Sequence, residues 1–147
     1  MEIDFRGDSD TDPYFYIDGY GGTGNERPEF CIKSDVTDEA ADKAFIQEYI
    51  QRCHDAIMSG DRAAIEELVD LPSLVDMYIL EELSKDVDAG RASFYLQKDV
   101  GGKLFFTAPW DFDFGFGTYG SAISNDGLIS QGSQNCTWFA SLITRGW

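Results

Sequence analysis

Residues 70–117 decide the fold, and they read DLPSLVDMYILEELSKDVDAGRASFYLQKDVGGKLFFTAPWDFDFGFG. Pro72 suits the first turn of a helix, because a backbone N–H has no intrahelical partner there. Apolar residues then recur at helical spacing and predict one buried stripe. The members of this stripe are Leu74, Val75, Tyr78, Ile79 and Leu83. Beyond the polar turn KDVDAGR, the runs 92–98 and 103–108 flank DVGG and predict a β-hairpin.

The flanking sequence adds strands before this stretch and helices on both sides of it. Short runs rich in aromatic and β-branched residues predict three strands, at 2–6, 13–18 and 28–33. Asp35 or Thr37 is expected to cap a helix that runs to about Ser59, with Gly60 just beyond its end. A short helix from Arg62 and a final helix in CTWFASLI complete the chain. We therefore predict an α+β fold in which small antiparallel sheets and hairpins pack with helices.

The acidic pair in PWDFDFG is the first candidate for chemistry. In extended backbone Asp111 and Asp113 share one face, and Trp110, Phe112 and Phe114 take the other. Two carboxylates held close together suit a divalent cation, which prefers oxygen ligands and relieves their repulsion. A surface turn on an aromatic core strand has the same pattern. The spacing alone leaves both interpretations open.

The long segment SLVDMYILEELSKDVDAGRASFYLQKDVGGKLFFTAPWDFDFGFG resembles the central signature of the spore coat protein H (CotH-like) kinase family. Members of that family typically show a Ser-Phe/Leu-Val-Asp-Tyr-Tyr helix, an Asn-Val-Asp turn with a nearby Arg, and a Gly-Pro-Val-Trp-Asp-Phe-Asp end. Weaker similarity extends to MEIDF, EFCIKS, the long helix and CTWFASLI. The resemblance implies the C-terminal half of an atypical protein-kinase-like fold. It also implies phosphorylation of a protein substrate with ATP and magnesium or manganese, in an extracellular, cell-surface or spore-coat protein.

The resemblance also assigns roles to individual residues. Asp88 matches the family's catalytic-loop aspartate, Asp111 matches its metal-binding aspartate, and Asp113 stands beside it as a second carboxylate. In kinases one Asp accepts the proton of the acceptor hydroxyl and another holds magnesium against the phosphates. Two positions depart from the expected patterns. Ser93 occupies the place where ordinary protein kinases have a metal-binding Asn, and Asp86 replaces the family's Asn before Val-Asp.

The parts of a kinase that cover the nucleotide phosphates are not evident in this sequence. Gly19, Gly21 and Gly24 fit G-x-G-x-x-G, but no strand with the required lysine follows, and a hairpin turn between YFYI and EFCIK explains them. We therefore expect residues 1–147 to be one domain and a fragment of a longer CotH-like protein. This fragment is expected to lack the nucleotide-binding N-terminal lobe and to be inactive alone.

The charge balance limits the partners. The chain of 147 residues has 27 acidic and 11 basic side chains, a net charge of −16. This charge opposes nucleic acids and anionic membranes, so neither is expected as a partner. Lys85, Arg91, Lys98 and Lys103 lie close in sequence to the candidate site and partly offset its charge. Arg91 is either a structural ion-pair partner or a contact to the nucleotide phosphates.

The cysteines and the single histidine predict structural roles. Cys31, Cys53 and Cys136 are odd in number and lack Cys-x-x-Cys spacing, so buried free thiols are expected rather than a zinc site or a disulfide framework. His54 is expected to be a partly exposed helix residue. No apolar run approaches the roughly 20 residues that a membrane-spanning helix needs.

Two other functions fit the same sequence. The chain is alternatively a non-catalytic extracellular interaction or carbohydrate-binding module, with exposed aromatic rings stacking on sugars. The rings in question are Trp110, Tyr119, Trp138 and Trp147. A third interpretation is that Asp-rich loops hold a structural calcium ion. Convergence of Asp88, Asp111 and Asp113 would favour the kinase, whereas an open groove lined by aromatic rings would favour the module. Beyond a protein substrate, the expected partners are other domains of the parent chain.

Overall fold

The computed structural model describes residues 1–4, 12–21, 27–35, 38–118, 127–128 and 136–147. Within these residues the chain forms five strands, four α-helices and one 3-10 turn. The strands are β1 (Glu2–Asp4), β2 (Tyr14–Phe15), β3 (Glu29–Cys31), β4 (Phe94–Lys98) and β5 (Leu104–Phe106). The helices are α1 (Glu39–Ser59), α2 (Arg62–Leu68), α3 (Leu71–Ser84) and α4 (Thr137–Thr144). None of these helices is long and apolar enough to cross a bilayer.

The strands form one antiparallel sheet in the order β2-β3-β1-β4-β5. The α+β class is therefore confirmed, and so is the predicted hairpin, in which Leu96 pairs with Phe106 and Lys98 with Leu104. β2 and β3 are shorter than the strands predicted at 13–18 and 28–33, and residues 5–6 of the first predicted strand lie outside the described residues. β1 lies between β3 and β4, and this position joins the N-terminal strands to the hairpin that follows α3.

The N-cap of helix α1 is Asp38, which is neither of the two predicted capping residues. Asp38, in extended backbone, caps it by accepting the Ala41 N–H at 3.2 Å. The prediction of Asp35 was wrong, because the helix begins at Glu39 and Asp38 therefore occupies the N-cap position. Thr37, the other predicted cap, lies outside the described residues. The predicted end is confirmed, since Gly60 takes the left-handed conformation there, with φ 73°.

Trp138 in α4 is the centre of the core. It is fully buried, and its ring packs edge-on against Tyr20 and Phe106 at centroid distances of 5.0 and 5.8 Å. Its Nε1 donates to Nδ1 of His54 in α1 at 3.1 Å, which places the proton of the neutral imidazole on Nε2. The prediction of a partly exposed His54 was therefore wrong. It is buried, and burial lowers its pKa.

The three cysteines are buried free thiols, as predicted. Burial raises the pKa of Cys31, Cys53 and Cys136 above the ordinary thiol value. Such thiols stay protonated at neutral pH and are poor nucleophiles. Their role in the described fold is packing.

Helix α3 presents a different face to the core than the sequence predicted. Its inward positions are Ser73, Leu74, Met77, Glu81 and Ser84. Tyr78 of the predicted stripe is partly buried and packs against the core, whereas Val75, Ile79 and Leu83 are 50, 56 and 72% exposed. The helix is fixed at its start by β5, since the Asp70 N–H donates to the Leu104 carbonyl and the Phe106 N–H donates to Ser73 Oγ. These bonds determine which side of α3 faces the sheet.

Candidate active site

The turn after α3 holds Asp88 in a defined position. Lys85 ends the helix in the left-handed conformation, and its N–H donates to the Glu81 carbonyl at 2.9 Å. The Asp86 side chain then accepts the Asp88 N–H at 3.2 Å, while the Asp88 carbonyl accepts the Arg91 N–H at 2.7 Å. These local bonds form the Asx-type turn that Asp residues favour. They place Asp88 between α3 and β4.

The same turn is anchored to the core. The Tyr20 hydroxyl donates to the Gly90 carbonyl at 2.6 Å. Gly90 has φ 68°, and a Cβ atom there would stand 2.4 Å from the Cys136 sulfur. Only glycine satisfies both conditions without displacing a neighbour. The turn that carries Asp88 is therefore held by two buried groups, Tyr20 from the segment after β2 and Cys136 from the start of α4.

The second acidic segment does not have the predicted extended backbone. Asp111 is left-handed, with φ 60° and ψ 52°, and Phe112–Phe114 form the 3-10 turn. The shared face predicted for Asp111 and Asp113 was therefore wrong. The reason is that the segment curls against α3, where the Phe116 N–H donates to the Ser84 carbonyl at 2.5 Å. Trp110 is also exposed and does not support the carboxylates from a core position.

The two acidic segments meet at the C-terminal end of α3. The Ser93 hydroxyl, five residues after Asp88, donates to Asp111 Oδ2 at 3.2 Å. Burial first, and then the nearby charges of Asp88, Asp111 and Asp113, raise the pKa of Asp86 to about 6. These four aspartates, Asp86, Asp88, Asp111 and Asp113, are the acidic cluster. Asp88, Asp111 and Asp113 were predicted from the sequence as site residues, whereas Asp86 stood out there only as a departure from the family pattern.

Glu81 lies on the inward side of α3, and the sequence did not predict it as a site residue. Its side chain is 4% exposed, and its Oε2 atom has no hydrogen-bond partner among the described residues. Burial, and secondarily the charge of Asp86, raise the pKa of Glu81 to about 8. It stands four residues after Met77 and seven after Leu74, the apolar positions that face inward. This spacing was the available signal that Glu81 faces inward too.

The cluster has the donor chemistry that magnesium or manganese requires. Among the described residues, no three His, Cys, Asp or Glu side chains are placed around one common point. Magnesium usually takes only one or two protein carboxylates and completes its shell with water and substrate phosphate. Asp111 and Asp113 supply such oxygens on exposed side chains, and their charges add to the effect of burial in raising the pKa of Asp86. These residues therefore fit the ion, and their assignment as ligands stays a prediction.

The basic residues near the cluster are engaged in different ways. Lys85 Nζ donates to the Gly127 carbonyl at 2.6 Å and lies 3.5 Å from a Glu82 oxygen. Lys98 stands over the Tyr49 ring of α1, and Lys103 Nζ donates to the Glu66 carbonyl of α2. Lys98 and Lys103 therefore contact helices α1 and α2 rather than the acidic cluster. Arg91 is half-buried in the Asp88 turn, where its role as a phosphate contact stays a prediction.

The aromatic residues of the alternative interpretation do not share one surface in the described structure. Trp138 is fully buried and cannot stack on a sugar. Trp110 packs edge-on against Tyr95 of β4, whereas Trp147 lies beneath the Arg62 guanidinium of α2. Tyr119 lies outside the described residues. The described aromatic rings give the carbohydrate-binding interpretation no support.

The family model described as CotH kinase protein matches residues 18–146. The chain belongs to the CotH kinase family. No curated protein and no solved structure matches it.

Proposed function

We propose that this chain is the metal- and nucleotide-contacting half of a CotH-like atypical kinase that phosphorylates protein. The observation that carries the proposal is the hydrogen bond from Ser93 to Asp111. It joins Ser93, five residues after Asp88, to Asp111, and this link supports the proposal that both aspartates act on one phosphoryl group. The shared influence of Asp88, Asp111 and Asp113 on the pKa of Asp86 supports the same proximity.

The proposed roles follow from the requirements of phosphoryl transfer. Asp88 orients the acceptor hydroxyl and accepts its proton as the oxygen attacks the γ-phosphorus and ADP leaves. Asp111, with Asp113, would hold magnesium or manganese, whose charge would neutralise the phosphate oxygens when it is bound. Arg91 would contact a phosphate. The Ser93 hydroxyl fixes the orientation of the Asp111 carboxylate.

A separate part of the parent protein is proposed to cover the nucleotide phosphates. Gly19 and Gly21 of the G-x-G-x-x-G match are used in packing, since a Cβ on Gly19 would lie 3.0 Å from His54 Nε2 and the Gly21 N–H donates to Thr137 Oγ1. Gly24 lies outside the described residues. Positioning and charge neutralisation supply nearly all of the catalysis in this reaction, so this chain alone is expected to transfer no phosphate. An extracellular, cell-surface or spore-coat location is proposed from the family relationship.

A kinase assay on the full-length parent protein tests this function. With labelled ATP and magnesium, Asp111→Ala and Asp88→Asn should each lower phosphoryl transfer at least about 100-fold, because each removes a group that acts on the reacting atoms. Asp99→Asn is the matched control, since it removes one exposed charge from the hairpin turn and should leave the rate unchanged. Undiminished transfer by Asp111→Ala would contradict the proposal. Autophosphorylation by the 147-residue chain alone would contradict the need for a further lobe.

A further inference from the structure

The outer face of α3 is apolar and exposed. Val75, Ile79 and Leu83 are spaced four residues apart and therefore lie along one side of the helix. Their side chains are 50, 56 and 72% exposed, and together they form what we call the α3 ridge. The inward side of the same helix carries its own apolar residues, so the ridge is additional to the core. An apolar row of this kind is typical of a surface that binds a partner.

Negative charge flanks the α3 ridge. Asp76 is exposed beside Val75, near the start of the helix. At the other end the Ser84 carbonyl binds the Phe116 N–H, which brings the segment carrying the exposed Asp111 and Asp113 next to the last turn. Lys85 lies at this end of the helix but does not cancel that charge, because it is paired with Glu82 and donates to the Gly127 carbonyl.

These charges decide among the possible occupants of the ridge. A second copy of the chain would bring another net charge of −16, and anionic lipid is repelled in the same way. A cationic amphipathic helix matches both the apolar side chains of the ridge and the negative charge that flanks them. Its apolar side would pack on the three aliphatic side chains, and its Lys or Arg side chains would reach Asp76 and the acidic cluster.

We propose that the α3 ridge docks a cationic amphipathic helix of a partner protein. The spacing of the ridge fits apolar residues placed every three to four positions on the partner, since two helices pack through such rows. This interaction requires neither ATP nor a metal ion. It can therefore be tested separately from phosphoryl transfer, and failure of one proposal leaves the other intact.

The test measures fluorescence anisotropy of a labelled synthetic peptide of about 20 residues, long enough for a stable helix of several turns. The peptide has leucine on one helical face and lysine on the other. A second peptide of the same composition, scrambled to remove the apolar face, measures binding by charge alone. We expect the chain to bind the amphipathic peptide at least about tenfold more tightly than the scrambled one.

Two variants locate the binding surface. Ile79→Asp and Leu83→Asp should each weaken amphipathic peptide binding about tenfold, although the added negative charge attracts lysine. Val100→Asp, which makes the same change at the fully exposed hairpin turn, should alter binding by less than about twofold. Circular dichroism of each variant checks that it folds.

Three outcomes would overturn the proposal. The first is equal binding of the two peptides. The second is equal loss of binding in Ile79→Asp and Val100→Asp. The third is self-association in sedimentation that Ile79→Asp abolishes, which would assign the ridge to a second copy of the chain.

Discussion

Glu81→Gln should raise the free energy of unfolding at pH 8.5 by about 2 to 4 kcal/mol. Glu81 is buried, with a side-chain oxygen that has no partner among the described residues, and its pKa is raised from 4.5 to about 8. The native state therefore holds this proton more tightly than the unfolded state does. Glutamine keeps nearly the same shape and removes the titrating group.

The sign of the pH dependence follows from these two pKa values. Below about pH 4.5 Glu81 is protonated in both states, so it contributes no slope there. As the pH rises towards 8, the unfolded state releases the proton first and the protein loses stability. Asp86, whose pKa is raised to about 6, adds to this loss at lower pH. Urea unfolding of parent and variant at pH 5 and at pH 8.5 measures the difference.

Glu48→Gln is the matched control for this experiment. Glu48 is exposed on α1. The same change there should therefore give a free energy of unfolding with the same pH dependence as that of the parent chain. The account of Glu81 is contradicted if Glu81→Gln and the parent lose the same free energy of unfolding between the two pH values.

Trp138→Ala should lower the free energy of unfolding by about 3 to 5 kcal/mol. The indole is fully buried against aromatic rings of β3 and β5 and against Tyr20. Its loss leaves a cavity and also removes the partner of His54 Nδ1. Urea denaturation followed by circular dichroism measures the change.

Trp110→Ala provides the comparison for the core substitution. Trp110 is 61% exposed, and we expect its removal to cost about 1 kcal/mol or less. Equal costs for the two substitutions would mean that Trp138 is not the centre of the core.

The elements that the sequence predicted well are those with local signals. Gly60 stops α1 because glycine adopts the left-handed conformation without strain, and that preference is a property of one residue. The hairpin over β4 and β5 follows from two apolar runs around a Gly-rich turn. The position of β1 between β3 and β4 depends on contacts between distant parts of the chain, which no local pattern encodes.

The errors on α3 and at the candidate site have related causes. Periodicity groups Val75, Ile79 and Leu83 on one side but does not state which side packs on the sheet. The inward side of α3 contains Glu81, a residue type that is rarely buried, so composition argued against the observed orientation. Asp111 has a left-handed backbone, and its segment is bonded to α3 through Phe116 and Ser84, a tertiary contact that the Asp-x-Asp pattern does not indicate. The hydrogen bond between Ser93 and Asp111, which links the two acidic segments, is a tertiary contact that no local pattern encodes.

Calorimetric titration of manganese or magnesium into this chain tests the central claim most directly, since the acidic cluster must bind a cation if it serves phosphoryl transfer. We expect weak binding that Asp111→Asn largely abolishes, because that change removes a charged oxygen ligand. Asp99→Asn, which removes an equal charge from the hairpin turn, should retain the binding heat of the parent. Equal heats from Asp111→Asn and the parent chain would contradict the assignment of the cluster as the metal site.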